Sequence, residues 1–241
     1  MCRAGRDEVR RRGAAAFEGH IAGYEARILV ESGHYQDAEA LSKEILATFS
    51  PLIGGLNATL WICPALIRRG RYGEARHLLD ELVPAARRIA GNYWLAAALA
   101  YEAELEEARG NLAAARRALT EAVNKVVADG DVLNGLVALV PAVRLLPSSV
   151  AKRLVDIAGR APEHPAFKAR LLEADGVWTC DRALFQQAAE MYRSLDLPYD
   201  EARCRLEAGE LDRASEIIAS LGVEDGPLGT GLRTLKSANG R

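Results

Sequence analysis

The chain has 241 residues with 31 Lys plus Arg against 33 Asp plus Glu, a formal net charge of −2 and a pI near 6.1. That balance excludes a polybasic protein that coats nucleic acid. Hydrophobic residues at 49 % and charged residues at 27 % exclude intrinsic disorder as the default, because a chain of this composition can bury a core. Aromatics are only 6 %, while Ala and Leu abound and β-branched runs are few, so an all-α chain is expected.

Residues 1–13 read as a basic N-terminal segment, with Arg3, Arg6 and Arg10 to Arg12. Glu18, His20 and Glu25 follow in place of an unbroken apolar stretch, so no export signal is expected. From residue 14 onward one phrase recurs: Gly33-His-Tyr-Gln-Asp-Ala38, Gly70-Arg-Tyr-Gly-Glu-Ala75, Gly110-Asn-Leu-Ala-Ala-Ala115 and Gly209-Glu-Leu-Asp-Arg-Ala214. Each Gly separates two amphipathic runs and suits the left-handed residue that ends a helix. The Tyr or Leu two residues on is placed to wedge between helices. The Ala five residues on allows close approach, as does the small residue seven positions before the Gly: Ala26, Cys63, Ala103 or Ala202. Such a unit is an αα-hairpin.

The turn glycines are 37, 40 and 99 residues apart, so the last interval holds room for two degenerate units. Within it, Pro141 and Pro147 are expected to interrupt the apolar run 133–146, and Ser148 and Ser149 to cap a helix running through Ile157. Pro162 and Pro165 precede another helix, and Asp175-Gly176 is expected to break the chain before an apolar stripe over residues 182–195. About six hairpins result over residues 14–222. Residues 223–241, with Gly226, Gly229 and Gly231, read as a Gly-rich C-terminal tail, a turn followed by a short or frayed helix.

Neither apolar window, 93–101 or 132–146, reaches the ~20 residues that span a bilayer. The four cysteines (Cys2, Cys63, Cys180 and Cys204) form no CxxC pair, so reduced thiols in a cytoplasmic chain are expected. No HExxH, Gly-x-Ser-x-Gly or local His/Cys/carboxylate cluster occurs, and His20, His34, His77 and His164 are scattered. No catalytic residue, metal site or cofactor is therefore expected. Glu102, Glu104, Glu106 and Glu107 read as a solvated face or as partners of neighbouring helices. Trp61, Trp94 and Trp178 read as packing residues.

The four phrases, with their preceding small residues, resemble the tetratricopeptide repeat family across roughly residues 20–222. The stretch from Asp175 to Ala183, then Tyr192 to Arg203 and Ala219 to Gly222, is similar to the C-terminal helices of LuxR-type (MalT-like) ATP-binding regulators and of ATPase-linked nucleotide cyclases. The resemblance implies a right-handed αα-hairpin solenoid that senses a ligand or partner in bacterial signalling or transcriptional control. The chain departs from that family plan: none of its five lysines follows a glycine, so a P-loop is absent, and about twenty residues beyond the last hairpin leave no space for a helix-turn-helix.

In the family's register the first helix of each pair lines the concave face. That places His20, Arg27, Glu31, Asn57, Arg68, Glu104, Glu107, Tyr199 and Arg203 there. An Asn amide can hold a peptide backbone, and Arg27 and Arg68 can take a carboxylate in bidentate fashion. The expectation is a non-enzymatic module that binds a protein or peptide partner on this face, with self-association open and no nucleic acid or membrane partner. The alternatives are a small-molecule sensor using the same face, and a helical enzyme with Glu104 or Glu107 at its site.

Overall fold

The computed structural model describes residues 2–49, 53–89, 94–160 and 164–239, and over these it contains fourteen α-helices and no strand. They are α1 (Cys2–Arg11), α2 (Ala15–Glu31), α3 (Tyr35–Phe49), α4 (Ile53–Arg68), α5 (Tyr72–Arg88), α6 (Trp94–Ala108) and α7 (Leu112–Asp129). There follow α8 (Val132–Leu145), α9 (Ser148–Ala158), α10 (Pro165–Thr179), α11 (Arg182–Ser194), α12 (Pro198–Glu207), α13 (Leu211–Leu221) and α14 (Pro227–Asn239). None of the described helices is long and apolar enough to cross a membrane.

The recurrent phrase folds the same way each time. Gly33, Gly70, Gly110 and Gly209 have φ between +75° and +82°, a region closed to most side chains. The next residue's N–H reaches back to the carbonyl five positions earlier: His34 to Leu29, Arg71 to Leu66, Asn111 to Glu106 and Glu210 to Arg205, at 2.8 to 2.9 Å. This cap satisfies the carbonyls a helix end leaves free. Ala26, Cys63, Ala103 and Ala202 are all buried, as are Ala38, Ala75, Ala115 and Ala214. The wedge position is uneven: Tyr35 is buried, but Leu112 is 44 % exposed and wedges nothing.

The degenerate middle keeps the same cap without the phrase: Gly130 (φ +66°) uses it with Asp131 N–H bonded to Val126, and two further turns use it with residues other than glycine. Cys180 (φ +54°) and Asp196 (φ +58°) occupy the left-handed position, with Asp181 N–H bonded to Gly176 and Leu197 N–H to Tyr192. The break expected at Asp175-Gly176 is therefore corrected: both lie inside α10, where Gly176 lets the Phe185 ring approach to 3.2 Å of where a Cβ would stand. Pro141 likewise lies inside α8; it withholds one backbone N–H without ending the helix. The turn expected at Pro162 lies outside the described residues, as do the side chains of Arg3 and Arg10.

Neighbouring pairs stack in chain order, α2 on α4, α4 on α6, α6 on α8 and α8 on α10. α6, flanked on both sides, is apolar almost all round and buries Trp94, Leu99, Tyr101 and Leu105 together. The far end of the chain then comes back to the near end: α14 packs on α12, α13 and α4. A Cβ on Gly226 would stand 1.7 Å from the Arg68 carbonyl oxygen, and one on Gly70 would stand 2.5 Å from that of Asp225. Leu228 and Leu232 enter the main core alongside Tyr35, Leu60 and Leu206. Residues 223–241, read from sequence as a Gly-rich tail, thus hold a 13-residue helix docked by its apolar face. Residues 2–11, read as a basic segment, are helical and pack on α2.

Candidate functional site

Because the ends meet, the even-numbered helices, joined by Tyr72 at the start of α5, surround a cavity of about 440 Å³, within the range of small-molecule sites. All of the even-numbered helices but α10, which supplies Arg170 alone, contribute residues at helical spacing. α2 supplies Arg27, Val30 and Glu31; α4 supplies Trp61, Pro64 and Arg68; α6 supplies Tyr101, Glu104 and Glu107. On the other side stand Val137, Val140, Pro141 and Arg144 of α8, Arg170 of α10, Tyr199, Asp200 and Arg203 of α12, and Leu228, Thr230 and Leu235 of α14.

Seven of the nine residues read from sequence converge here: Arg27, Glu31, Arg68, Glu104, Glu107, Tyr199 and Arg203. His20 and Asn57 do not line the cavity. Asn57 is 1 % exposed and does hold a backbone, but the chain's own: its Nδ2 donates to the His20 carbonyl at 3.3 Å, and its Oδ1 accepts from Trp61 Nε1 at 2.8 Å. It ties α2 to α4 and orients Trp61. His20 meets Tyr24 edge-on. Arg27 is also committed, donating to Glu31 at 2.9 Å with its guanidinium 4.4 Å above the Trp61 ring.

The other charges of the wall are mostly paired. Arg144 meets Glu107 at 2.5 Å. Arg203 donates to Glu173 from Nε and Nη2 at 2.5 and 2.8 Å and meets Asp200 at 2.6 Å; Arg170 meets Asp200 at 3.4 Å, and Tyr192 donates to Glu173 at 2.7 Å. Burial alone would raise the Asp200 pKa, yet Arg170, Arg203 and Arg68 hold it well below the usual carboxylate range. Of the four glutamates of α6, Glu102 and Glu106 pair with Arg76, and Glu106 also accepts from Asn111 at 2.7 Å, as inter-helix partners should.

Two groups stand apart. Arg68 is 8 % exposed, packs its guanidinium 4.3 Å over the Tyr199 ring, and has no carboxylate within 4 Å among the described residues; its Nε is buried without an acceptor. Burial works against its charge, but Tyr35, Glu104 and Asp200 more than restore it. Glu104 has no cation within 4 Å among the described residues, and burial raises its pKa despite the opposing pull of Arg68 and Arg203.

Sequence reasoning missed the aromatic wall and the α14 side. Trp61, read as packing, is buried in the core but also lines the cavity; it lies seven residues before Arg68, and Tyr101 lies three before Glu104, so both share a face already identified. Arg144, interrupting the apolar run of α8, was a further signal. Trp178, also read as packing, is exposed. Among the described residues no group of three His, Cys, Asp or Glu side chains lies together as a metal site would require. No known protein family, curated protein or solved structure matches this chain.

Proposed function

We propose that the chain is a tetratricopeptide-like helical module, wound until its ends meet, that binds a small molecule in its central cavity without catalysing a reaction on it. The observation that carries this reading is the cavity itself: about 440 Å³, walled by eight helices, with charged, aromatic and apolar groups converging on it. The docking of α14 along one side favours a compact ligand over a peptide laid through an open groove. In keeping with the family resemblance, binding serves a sensing role in bacterial regulation, with ligand coupling α2 and α14 across the closure.

A protein partner has one specific observation in its favour. Phe17, Tyr24 and Ile28 are all exposed and share one face of α2, so the ligand acts inside the array while a partner reads its outer surface.

The test is thermal unfolding of the chain against a metabolite library at millimolar concentration. A ligand present at 100 times its Kd stabilises by about 2.7 kcal/mol, which for a chain of this size raises Tm by roughly 5–10 °C. The rise is expected to vanish in Ala108→Phe, which fills the cavity from the end of α6. A library without any stabilising compound, or a rise that survives Ala108→Phe, refutes the cavity as the site.

A further inference from the structure

We infer that the cavity, if it is a ligand site as proposed above, takes an amino-acid-type zwitterion. Its carboxylate sits on Arg68, its ammonium on Glu104, and its side chain lies along the apolar wall formed by Val137, Val140 and Leu235.

The inference follows from which charges in the wall are already satisfied. Arg27, Arg144, Arg170 and Arg203 each have a carboxylate within 4 Å, and Glu31, Glu107 and Asp200 each have a guanidinium. Arg68 and Glu104 line the same cavity, carry opposite charges, and yet lie too far apart to form an ion pair with each other. Glu207 also lines the cavity without a cation within 4 Å among the described residues, but it is exposed, whereas Arg68 is buried and Glu104 half-buried. An unpaired charge withdrawn from water is expensive, so Arg68 and Glu104 are the two opposite charges that gain most from a ligand.

Arg68 is also held in place. Tyr199 supports one face of its guanidinium at 4.3 Å, and the turn at Gly226 abuts its backbone carbonyl. A guanidinium held in this way is a planar receptor for carboxylate. Glu104 lies on α6 between Tyr101 and Glu107, and the neighbouring α8 brings Val137 and Val140 to the same cavity. A simple anion would satisfy Arg68 and face Glu104 as a repelling charge. A simple amine would satisfy Glu104 and face Arg68 in the same way. A ligand carrying both charges neutralises both groups at once, and the volume beyond them accommodates a sizeable apolar side chain.

The experiment is calorimetric titration of the full chain with L-leucine, L-phenylalanine, L-tryptophan and the dipeptide Leu-Leu. The single-charge analogues 3-phenylpropanoate and phenethylamine are titrated in parallel. At least one zwitterion is expected to bind, with both single-charge analogues weaker by about tenfold or more, as expected for losing a charge-assisted hydrogen bond. Glu104→Gln, which keeps the shape of the side chain, is expected to weaken the zwitterion by about tenfold or more and to leave 3-phenylpropanoate unchanged or tighter. Arg68→Gln is expected to abolish zwitterion binding; should that variant fail to fold, Glu104→Gln carries the test. A Glu104→Gln variant that binds the zwitterion as the parent does overturns the inference. If no zwitterion binds while a neutral or singly charged library compound does, the inference falls and the cavity remains a ligand site. If neither class binds, both fall.

Discussion

The closure of the array rests on a backbone contact that a single methyl group would break. In Gly226→Ala the new Cβ would stand 1.7 Å from the Arg68 carbonyl oxygen and 2.6 Å from its carbon. Carbon–oxygen contacts settle at about 3.3 Å or more, so one backbone must retreat by roughly 1.5 Å, and neither is the flexible end of a side chain. The penalty has a ceiling, because the segment can undock instead of straining. Undocking exposes chiefly Leu228 and Leu232, both buried in the parent, and each contributes about 1.5–3 kcal/mol. The expected loss is therefore about 3–6 kcal/mol, or roughly 6–24 °C in Tm for a chain of this size. Hydrogen exchange should show α14 becoming unprotected while α6 and α7 keep their protection. Gly231→Ala is the control: no heavy atom lies within 4 Å of its Cβ position, and in a helix interior the change is expected to stabilise by about 0.5–1 kcal/mol. A Gly226→Ala chain that melts with the parent and keeps α14 protected would refute the docked closure.

Three further outcomes are expected. Burial raises the Glu104 pKa in the folded chain, so the folded state holds this proton more tightly than the unfolded state, and stability falls as pH climbs from the unfolded value near ~4.3 through the folded one. Glu104→Gln should accordingly melt above the parent at pH 7.5, with the gap closing as pH is lowered through that window; an equal gap at pH 4 would contradict the reasoning. Glu173→Gln leaves Arg203 and Tyr192 without their buried carboxylate and should destabilise by about 3 kcal/mol in denaturant titration, whereas Arg87→Ala, which breaks an exposed pair with Glu121, should change stability by less than about 1 kcal/mol. Alkylation mapped by mass spectrometry should mark Cys180, which is exposed, well before Cys63 and Cys204. Burial pushes the Cys63 thiol up to about 12, so early labelling there would show that α4 opens in the native state.

The turns were legible where glycine opened the recurrent phrase, but not at Gly130, whose left-handed cap stands outside it. Gly33, Gly70, Gly110 and Gly209 announce left-handed caps because only glycine enters that region freely, and the small residues around them announce close helix packing. The same cap at Cys180 and Asp196 left no such mark, so the middle units read as irregular although the backbone repeats there. Gly176 misled in the opposite direction: its lack of a side chain serves the approach of Phe185, a contact with the next helix that local sequence does not display.

Periodicity also brought seven cavity residues onto one side of their helices, since Arg27, Arg68, Glu104 and Arg203 each share a face with apolar or aromatic neighbours three, four or seven residues away. What it did not reveal was which of them would be used up internally. Asn57 binds the His20 carbonyl and Arg27 binds Glu31, whereas Arg68 and Glu104 remain without an ion-pair partner, and those outcomes depend on distances between helices far apart in the chain.

The sequence by itself determined an all-helical chain, the places where many of its helices end, and the faces that meet, because these depend on backbone preferences and on spacings within a few residues. Only the tertiary structure decided that the glycine-rich end docks against α4 and that the even-numbered helices enclose a cavity. The physical reason is that closure depends on how helices far apart in the chain pack, and it ends in the contact of Gly226 with Arg68, a pairing of residues 158 positions apart that no local pattern encodes.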